Sequence, residues 1–284
     1  MPEEANLDTL ITMALEEDVG AGDWTTEWTV PGDARGKAVV VAKEELVVAG
    51  LEAAMRVFRR VEPGLTLRAR VSVGHRVESG QVVLEAEGPL RGILTGERTA
   101  LNFLGRLSGV ATLTRRFADA VEATGAAILD TRKTLPGWRA LEKEAVRAGG
   151  GRNHRMGLHD MVLVKDNHLV AAGGVKASVE RVREANHEGI PVEVEVTSLE
   201  ELDELLSMGV DRVLLDNMDN ATMREAVSRI RALGDDRPLA EASGNVSLTT
   251  VRGVAETGVD LISVGSLTHS APSADLSLRV LGDG

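Results

Sequence analysis

The chain has 284 residues, with 44 Asp and Glu against 32 Lys and Arg, a formal charge of −12 at pH 7. Hydrophobic residues make up 43% and charged residues 27%, which suits one large or two modest packed domains and excludes a disordered chain. The acidic balance argues against nucleic acid as a partner, and no apolar run is long enough to cross a membrane. With no cysteine, disulfides, thiol nucleophiles and thiolate-held metals are excluded as well. The acidic opening Met1-Pro2-Glu3-Glu4 lacks the basic and then apolar pattern of a secretory leader, so a cytoplasmic location is expected. Arginine supplies 26 of the 32 cations, which fits either a GC-rich genome or a salt-adapted surface.

In chain order, Leu7, Leu10, Ile11, Ala14 and Leu15 recur at helical spacing, on a segment whose acids form a solvated face over 7–17. Val39–Val41 and Leu46–Val48 read as strands and Leu51–Arg60 as a helix. Leu65–Val73 and Val82–Ala86 read as strands around the turn Glu78-Ser79-Gly80. That hairpin is similar to the hammerhead of lipoyl and biotinyl carriers. Such a carrier needs a lysine at the turn and none lies between Lys43 and Lys133, so the hairpin is structural. Residues 96–121 are helical. From 126 onward the texture becomes regular, with short apolar strands ending at Asp130, Lys165, Glu195, Asp216, Ser243 and Gly265. Helical stretches at 175–187, 199–208, 222–233 and 248–256 separate most of them. Strands apolar on both faces, alternating with helices, predict a parallel sheet. Gly20-Ala21-Gly22 has no third glycine and no preceding strand, so the dinucleotide-binding fingerprint is absent and an α/β barrel of fewer than eight units is expected.

In such barrels the active site forms at the C-terminal ends of the strands. Here those ends carry Asp130, Arg132 and Lys133, then Lys165 and Asp166, Glu195, Asp216, Ser243-Gly244 and Gly265. Residues 130–168 are locally cationic in an acidic chain. Arg132, Lys133, His154, Arg155 and Lys165 are expected to bind anionic groups, carboxylates or phosphates. Arg139, Lys143 and Arg147, spaced four apart, are expected to form a solvated helix face paired with Glu142 and Glu144. His154, His159 and His168 do not have zinc-ligand spacing. Ser243-Gly244-Asn245 and Val264-Gly265-Ser266 follow late strands, where glycine turns hold phosphate. Glu195 and Asp216 suit sugar hydroxyls and Mg²⁺, which prefers carboxylate oxygens together with phosphate. The combination points to a phosphorylated sugar, a metal and a second, anionic substrate.

Gly96-Glu97-Arg98-Thr99-Ala100-Leu101-Asn102, Asp130-Thr131-Arg132-Lys133-Thr134, Asn153-His154-Arg155, Lys165-Asp166-Asn167-His168, Glu193-Val194-Glu195, Leu215-Asp216-Asn217 and Glu241-Ala242-Ser243-Gly244 together resemble quinolinate phosphoribosyltransferase, the carboxylating nicotinate-nucleotide pyrophosphorylase of NAD biosynthesis. The resemblance runs from Glu17-Asp18 to Thr268-His269-Ser270. It implies an α/β protein with an N-terminal sandwich domain, 1–108, completed by the C-terminal tail 266–284, beside an incomplete, open α/β barrel, 109–265. It implies that Arg98, Thr131, Arg132, His154, Arg155 and Lys165 surround quinolinate. Lys133, Glu195, Asp216, Ser243, Gly244, Asn245, Val264, Gly265 and Ser266 would then meet phosphoribosyl pyrophosphate. Lys133, Lys165, Glu195 and Asp216 would be catalytic, and Glu195 and Asp216 would hold Mg²⁺, directly or through water. It further implies a homodimer in which Arg98 reaches the neighbouring site, with dimer and hexamer (a trimer of dimers) both open. A relative acting on another aromatic acid, or a non-enzymatic anion-binding barrel, are the alternatives.

Overall fold

The computed structural model describes residues 2–282. The chain divides into two compact units: Met1–Arg115, Thr134–Gly150 and Thr268–Gly284 form unit 1, and Arg116–Lys133 and Gly151–Leu267 form unit 2.

Unit 1 contains helices α1 (Pro2–Val19) and α2 (Trp24–Thr29), strands β1 (Arg35–Ala42) and β2 (Leu46–Val47), and helix α3 (Leu51–Val61). Strands β3 (Thr66–Ala69), β4 (Arg76–Val77) and β5 (Val82–Pro89) follow, then the long helix α4 (Leu90–Ala120), whose end enters unit 2, and helix α5 (Arg139–Ala148). An antiparallel sheet has β1 between β5 and the C-terminal strand Leu276–Leu281, with β3 on the far edge of β5. The single strand expected over Leu65–Val73 is shorter. After Ala69 the chain turns at Gly74, where φ is +83°, and β4 pairs with β2 instead. Hydrogen bonds from Gly74 N to Val48 O and from Val48 N to His75 O redirect it.

The segment 134–150 belongs to unit 1, although the family's domain plan would put it with the barrel. The expected solvated face of α5 is also not what forms. Lys143 and Glu142 are fully buried, whereas Glu144 and Arg147 are exposed. The reason is Arg106 on α4, whose Nε and Nη2 donate to Glu142 Oε1 at 2.9 and 2.5 Å. The same guanidinium donates to the carbonyls of Ala271, at 2.8 Å, and Thr268. Trp138, just before α5, stacks on Phe103 of α4 with ring centroids 4.6 Å apart. One arginine thus ties α4, α5 and the tail together through a charge-assisted network, satisfying a carboxylate that would otherwise be costly to bury.

Unit 2 is a strand–helix alternation. Strand β6 (Ala127–Leu129) precedes β7 (Val162–Val164), α6 (Asp166–Ala172), α7 (Val175–Ala185), β8 (Val192–Val196) and α8 (Leu199–Leu206). Then come β9 (Arg212–Asp216), α9 (Asn220–Arg231), β10 (Leu239–Ser243), α10 (Val251–Ala255), β11 (Leu261–Ser263) and α11 (Ser266–His269), whose last two residues belong to unit 1. The sheet order is β6-β11-β10-β9-β8-β7, and every pair is parallel. β6 and β7, consecutive strands of this unit, are the two edges, so the six-stranded barrel is open between them. Arg152 makes one parallel bridge to Leu129 on the edge of β6. Leu163, Val164, Val194, Val213, Leu214, Leu215, Ala240, Ala242 and Ile262 are buried, as strands covered on both faces require. Ser198 and Asp219 cap α8 and α9 by accepting from the backbone N–H three residues on, so each crossover helix starts at a defined point after its strand. Among the described residues no helix is long and apolar enough to cross a membrane.

The closest approach in unit 1 lies on α4. A Cβ on Gly109 would stand 1.9 Å from the carbonyl oxygen of Pro272 and 3.1 Å from Ser273 Cα, both backbone atoms. Gly109→Ala should therefore lower the unfolding free energy by about 1–3 kcal/mol, the usual cost of overpacking. Urea denaturation checks this, and an unchanged midpoint would show that the tail does not pack on α4 in this way.

Candidate active site

Parallel pairing brings all six strand ends of unit 2 to one edge of the sheet. In β8 (VEVEV) the side chains of Val192, Val194 and Val196 share one face, and Glu193 and Glu195 the other. Glu241 and Ser243 share a face of β10 in the same way. Each pair provides a lower, enclosed position and an upper one nearer the strand end, and the site is built in those two tiers.

The upper tier carries the residues expected from the sequence. Lys165, between β7 and α6, donates from Nζ to Glu195 Oε2 at 2.9 Å. Its backbone N–H donates to His168 Nδ1 at 2.9 Å, completing a capping box at the start of α6. Glu195 is nearly buried and Asp216 half-buried at the end of β9. Burial, and then the charges of Glu195 and Asp166, push the Asp216 carboxyl above its ordinary pKa, against the opposing pull of Asn217 and Lys165. Asn217 Nδ2 donates to Asp216 Oδ2 at 2.7 Å. Ser243, Gly244 and Asn245 follow β10, and Asn245 Nδ2 donates to Asn217 Oδ1 at 3.3 Å. Val264 is buried and donates its N–H to Leu129 O at 2.9 Å, placing Gly265 and Ser266 beside the end of β6. There Thr131 Oγ1 accepts from Lys133 N at 3.1 Å, and Arg132 and Lys133 are exposed. Arg155 is buried, with Nη1 on Met161 O at 3.0 Å, and burial followed by the charge of Arg132 lowers its pKa. The two guanidiniums are therefore close enough to repel each other. Arg98 lies in unit 1, exposed on α4.

The lower tier holds Asp130 and His154 together with Glu193 and Glu241, two glutamates given no role from the sequence. Asp130 is fully buried and accepts from Asn153 Nδ2 at 2.6 Å and from His154 N at 2.8 Å, fixing the 153–155 segment. Arg155 N donates to His154 Nδ1 at 2.7 Å, so the imidazole proton sits on Nε2. Nε2 lies 3.0 Å from Glu193 Oε2 and 3.5 Å from Glu241 Oε1. Glu241 also accepts from Arg212 Nη1 at 2.9 Å and from Ser263 Oγ at 2.5 Å. Both oxygens of Glu193 are buried without an aligned hydrogen bond among the described residues. Burial raises the pKa of Glu193, and burial together with Glu193 pushes Glu241 up to about 7. With both carboxyls raised in this way, protonation of one of them is favoured over ionisation of both. His154, Glu193 and Glu241 have the composition of a cation site, with ligand atoms within 4.8 Å. Arg212 already provides the compensating positive charge there. His154 thus sits in a buried network, whereas Arg132 and Lys133 are exposed and Lys165 is half-exposed. The legible signal was the strand period of two, which puts Glu193 beneath Glu195 and Glu241 beneath Ser243.

A raised carboxyl pKa makes the folded state hold a proton that the unfolded chain releases. The contribution of Glu241 is then most favourable below about pH 4.5 and is lost as pH rises through about 7. Glu241→Gln cannot titrate, so the stability of the unaltered protein relative to this variant should fall between pH 5 and pH 8. Chemical denaturation at several pH values reads the difference directly, and a flat or rising difference would contradict a raised pKa at Glu241.

Comparison with known proteins agrees with this geometry over nearly the whole chain. Residues 23–108 match the family model for the quinolinate phosphoribosyl transferase N-terminal domain, and residues 110–279 match that for its C-terminal domain. A nicotinate-nucleotide pyrophosphorylase [carboxylating] of Mycobacterium leprae is 45% identical over 278 residues, covering 97% of each chain. A probable nicotinate-nucleotide pyrophosphorylase [carboxylating] of Synechocystis sp. is 42% identical over 277 residues, covering 97% of this chain and 92% of the relative. The solved structure of the nicotinate-nucleotide pyrophosphorylase from Francisella tularensis superposes with a TM-score of 0.93 at 36% identity, covering 99% of this chain and 98% of that one. With two-tier site, open six-stranded barrel and both family domains present, the chain belongs to the quinolinate phosphoribosyltransferase family.

Proposed function

We propose that the protein transfers the phosphoribosyl group of phosphoribosyl pyrophosphate to quinolinate, releasing pyrophosphate and CO₂ and forming nicotinate mononucleotide. The observation that carries this reading is the charge division around one barrel edge. Arg132, Lys133, Arg155 and Lys165 supply cations near the ends of β6 and β7, and Glu195 and Asp216 supply carboxylates at β8 and β9.

In this reading Arg132, Arg155 and Lys165 take the two carboxylates of quinolinate and Thr131 donates to them. His154 shapes that pocket from below, held by Asp130 and the glutamate pair. Lys133 meets the pyrophosphate, and the Ser243-Gly244-Asn245 and Val264-Gly265-Ser266 turns receive the 5′-phosphate. As pyrophosphate leaves C1′, positive charge develops on the ribose, and fixed carboxylates placed for it lower the barrier without reorganising. The pyridine nitrogen forms the new bond to C1′. Its positive charge then accepts the electron pair left as the adjacent carboxylate departs as CO₂, and that carbon takes up a proton. Holding two anions in line is the larger part of the protein's work.

Glu195 and Asp216 also fit a Mg²⁺ ion. Both offer hard oxygens, and burial together with the charge of Glu195 raises the Asp216 carboxyl, an unfavourable negative charge that a divalent cation held there would relieve. Bound there with the pyrophosphate oxygens, Mg²⁺ would neutralise charge on the leaving group. The same proposal includes a cytoplasmic homodimer, with exposed Arg98 adding a further cation at the neighbour's site.

The test is turnover of Lys133→Ala and Lys165→Ala. Lys165 is half-exposed, so its ion pair with Glu195 contributes at most about 1 kcal/mol to stability. Each variant should melt close to the unaltered protein yet lose roughly 100-fold or more in kcat/KM. Near-normal turnover in both would remove these lysines from the site. Efficient turnover of a different aromatic acid in place of quinolinate would favour the alternative substrate.

A further inference from the structure

Asn217 has no part in the chemistry described above, yet its backbone is among the most constrained in unit 2. Its φ is +53°, and that of Asn245 is +50°. Apart from Ala123, they are the only non-glycine residues with positive φ among the described residues. The left-handed region costs an L-residue roughly 1–2 kcal/mol, least for asparagine, so surrounding contacts must hold it there.

Those contacts converge on the two strand ends assigned to phosphoribosyl pyrophosphate. Asn217 N donates to Ser243 O at 3.0 Å, continuing the β9–β10 register one step beyond the Asp216–Ser243 pair. The left-handed turn folds the side chain back, and Nδ2 donates to Asp216 Oδ2 at 2.7 Å. On the other side Oδ1 accepts from Asn245 Nδ2 at 3.3 Å. Gly244, with φ of +100°, lies directly against this amide. A Cβ there would stand 2.2 Å from Asn217 Oδ1 and 2.6 Å from Cγ. The glycine of the phosphate turn is therefore required by the asparagine amide as well as by its own backbone. One side chain bridges the carboxylate on β9 to the turn after β10.

We propose that Asn217 is a positioning residue that locks Asp216 to the Ser243–Asn245 turn, making ribose-side carboxylate and phosphate cradle one preformed clamp for phosphoribosyl pyrophosphate. The proposal rests on the phosphoribosyl reading of this edge. It concerns neither the cationic residues nor the quinolinate pocket, and that independence makes it testable.

Asn217→Gly keeps the left-handed backbone and removes only the amide. Losing a hydrogen bond to a charged group, together with the ordering it provides, should weaken phosphoribosyl pyrophosphate binding roughly tenfold or more. Calorimetric titration with phosphoribosyl pyrophosphate and Mg²⁺ measures this without turnover, and quinolinate is titrated separately. The expected result is a selective loss: a raised Kd and KM for phosphoribosyl pyrophosphate, with quinolinate affinity and melting temperature close to the unaltered protein. Asn217→Asp, which tolerates the same φ and keeps the acceptor for Asn245 but sets a like charge beside Asp216, should show the same selectivity and stands in should the glycine variant not fold. Binding within twofold of the unaltered protein, or equal weakening of both ligands, would overturn the proposal. Absence of phosphoribosyl pyrophosphate binding by the unaltered protein would contradict the function itself.

Discussion

In a parallel sheet every strand delivers its C-terminal residue to the same edge. Strands β6 to β11 therefore bring Lys133, Lys165, Glu195, Asp216, Ser243 and Gly265 to one rim, although they are far apart in sequence. The period of two along each strand adds depth, setting Glu193 below Glu195 and Glu241 below Ser243. Everything chemical in unit 2 uses one or the other of these positions. The rim is the more open level, and Glu193 and Glu241 beneath it are fully buried.

The buried level explains why the rim can hold its charges still. Two buried carboxyls with one arginine would be strongly unfavourable if both were ionised, and burial, with Glu193 alongside, pushes Glu241 up to about 7, which favours a proton there. Arg212, Ser263 and His154 then have defined partners, and His154 is fixed with its proton on Nε2. Asp130 performs the same service for the 153–155 segment by accepting from Asn153 and His154. The cation Arg155 comes next in the chain, so its placement follows from these bonds. In unit 1 Arg106 and Glu142 solve the same problem of a buried carboxylate with direct ion pairing.

Strand ends and most helices of unit 2 were legible because apolar runs and their polar terminators are local properties. The six rim positions follow from reading where each run stops. Charges inside elements were harder to place. Lys143 reads as part of a solvated helical stripe with Arg139 and Arg147, because nothing local announces that Arg106 will bury its neighbour Glu142. Glu193 and Glu241 read as ordinary alternation, since a glutamate facing solvent and one buried against a second carboxyl look identical in sequence. Asn217 was visible only as part of a motif. Its left-handed backbone, and the contact that leaves no room for a Cβ on Gly244, arise from two strands meeting in space. Long-range electrostatics and packing, rather than element type, set the limit of the sequence reading.

The central claim is that one barrel rim couples two anionic substrates in a single decarboxylating transfer. Its most direct test is the stoichiometry of products from quinolinate, phosphoribosyl pyrophosphate and Mg²⁺, with the carboxylate next to the ring nitrogen isotopically labelled. Equal amounts of nicotinate mononucleotide, pyrophosphate and labelled CO₂ are predicted, with no CO₂ when phosphoribosyl pyrophosphate is omitted. Pyrophosphate release without labelled CO₂, or no product from well-folded protein, would contradict it.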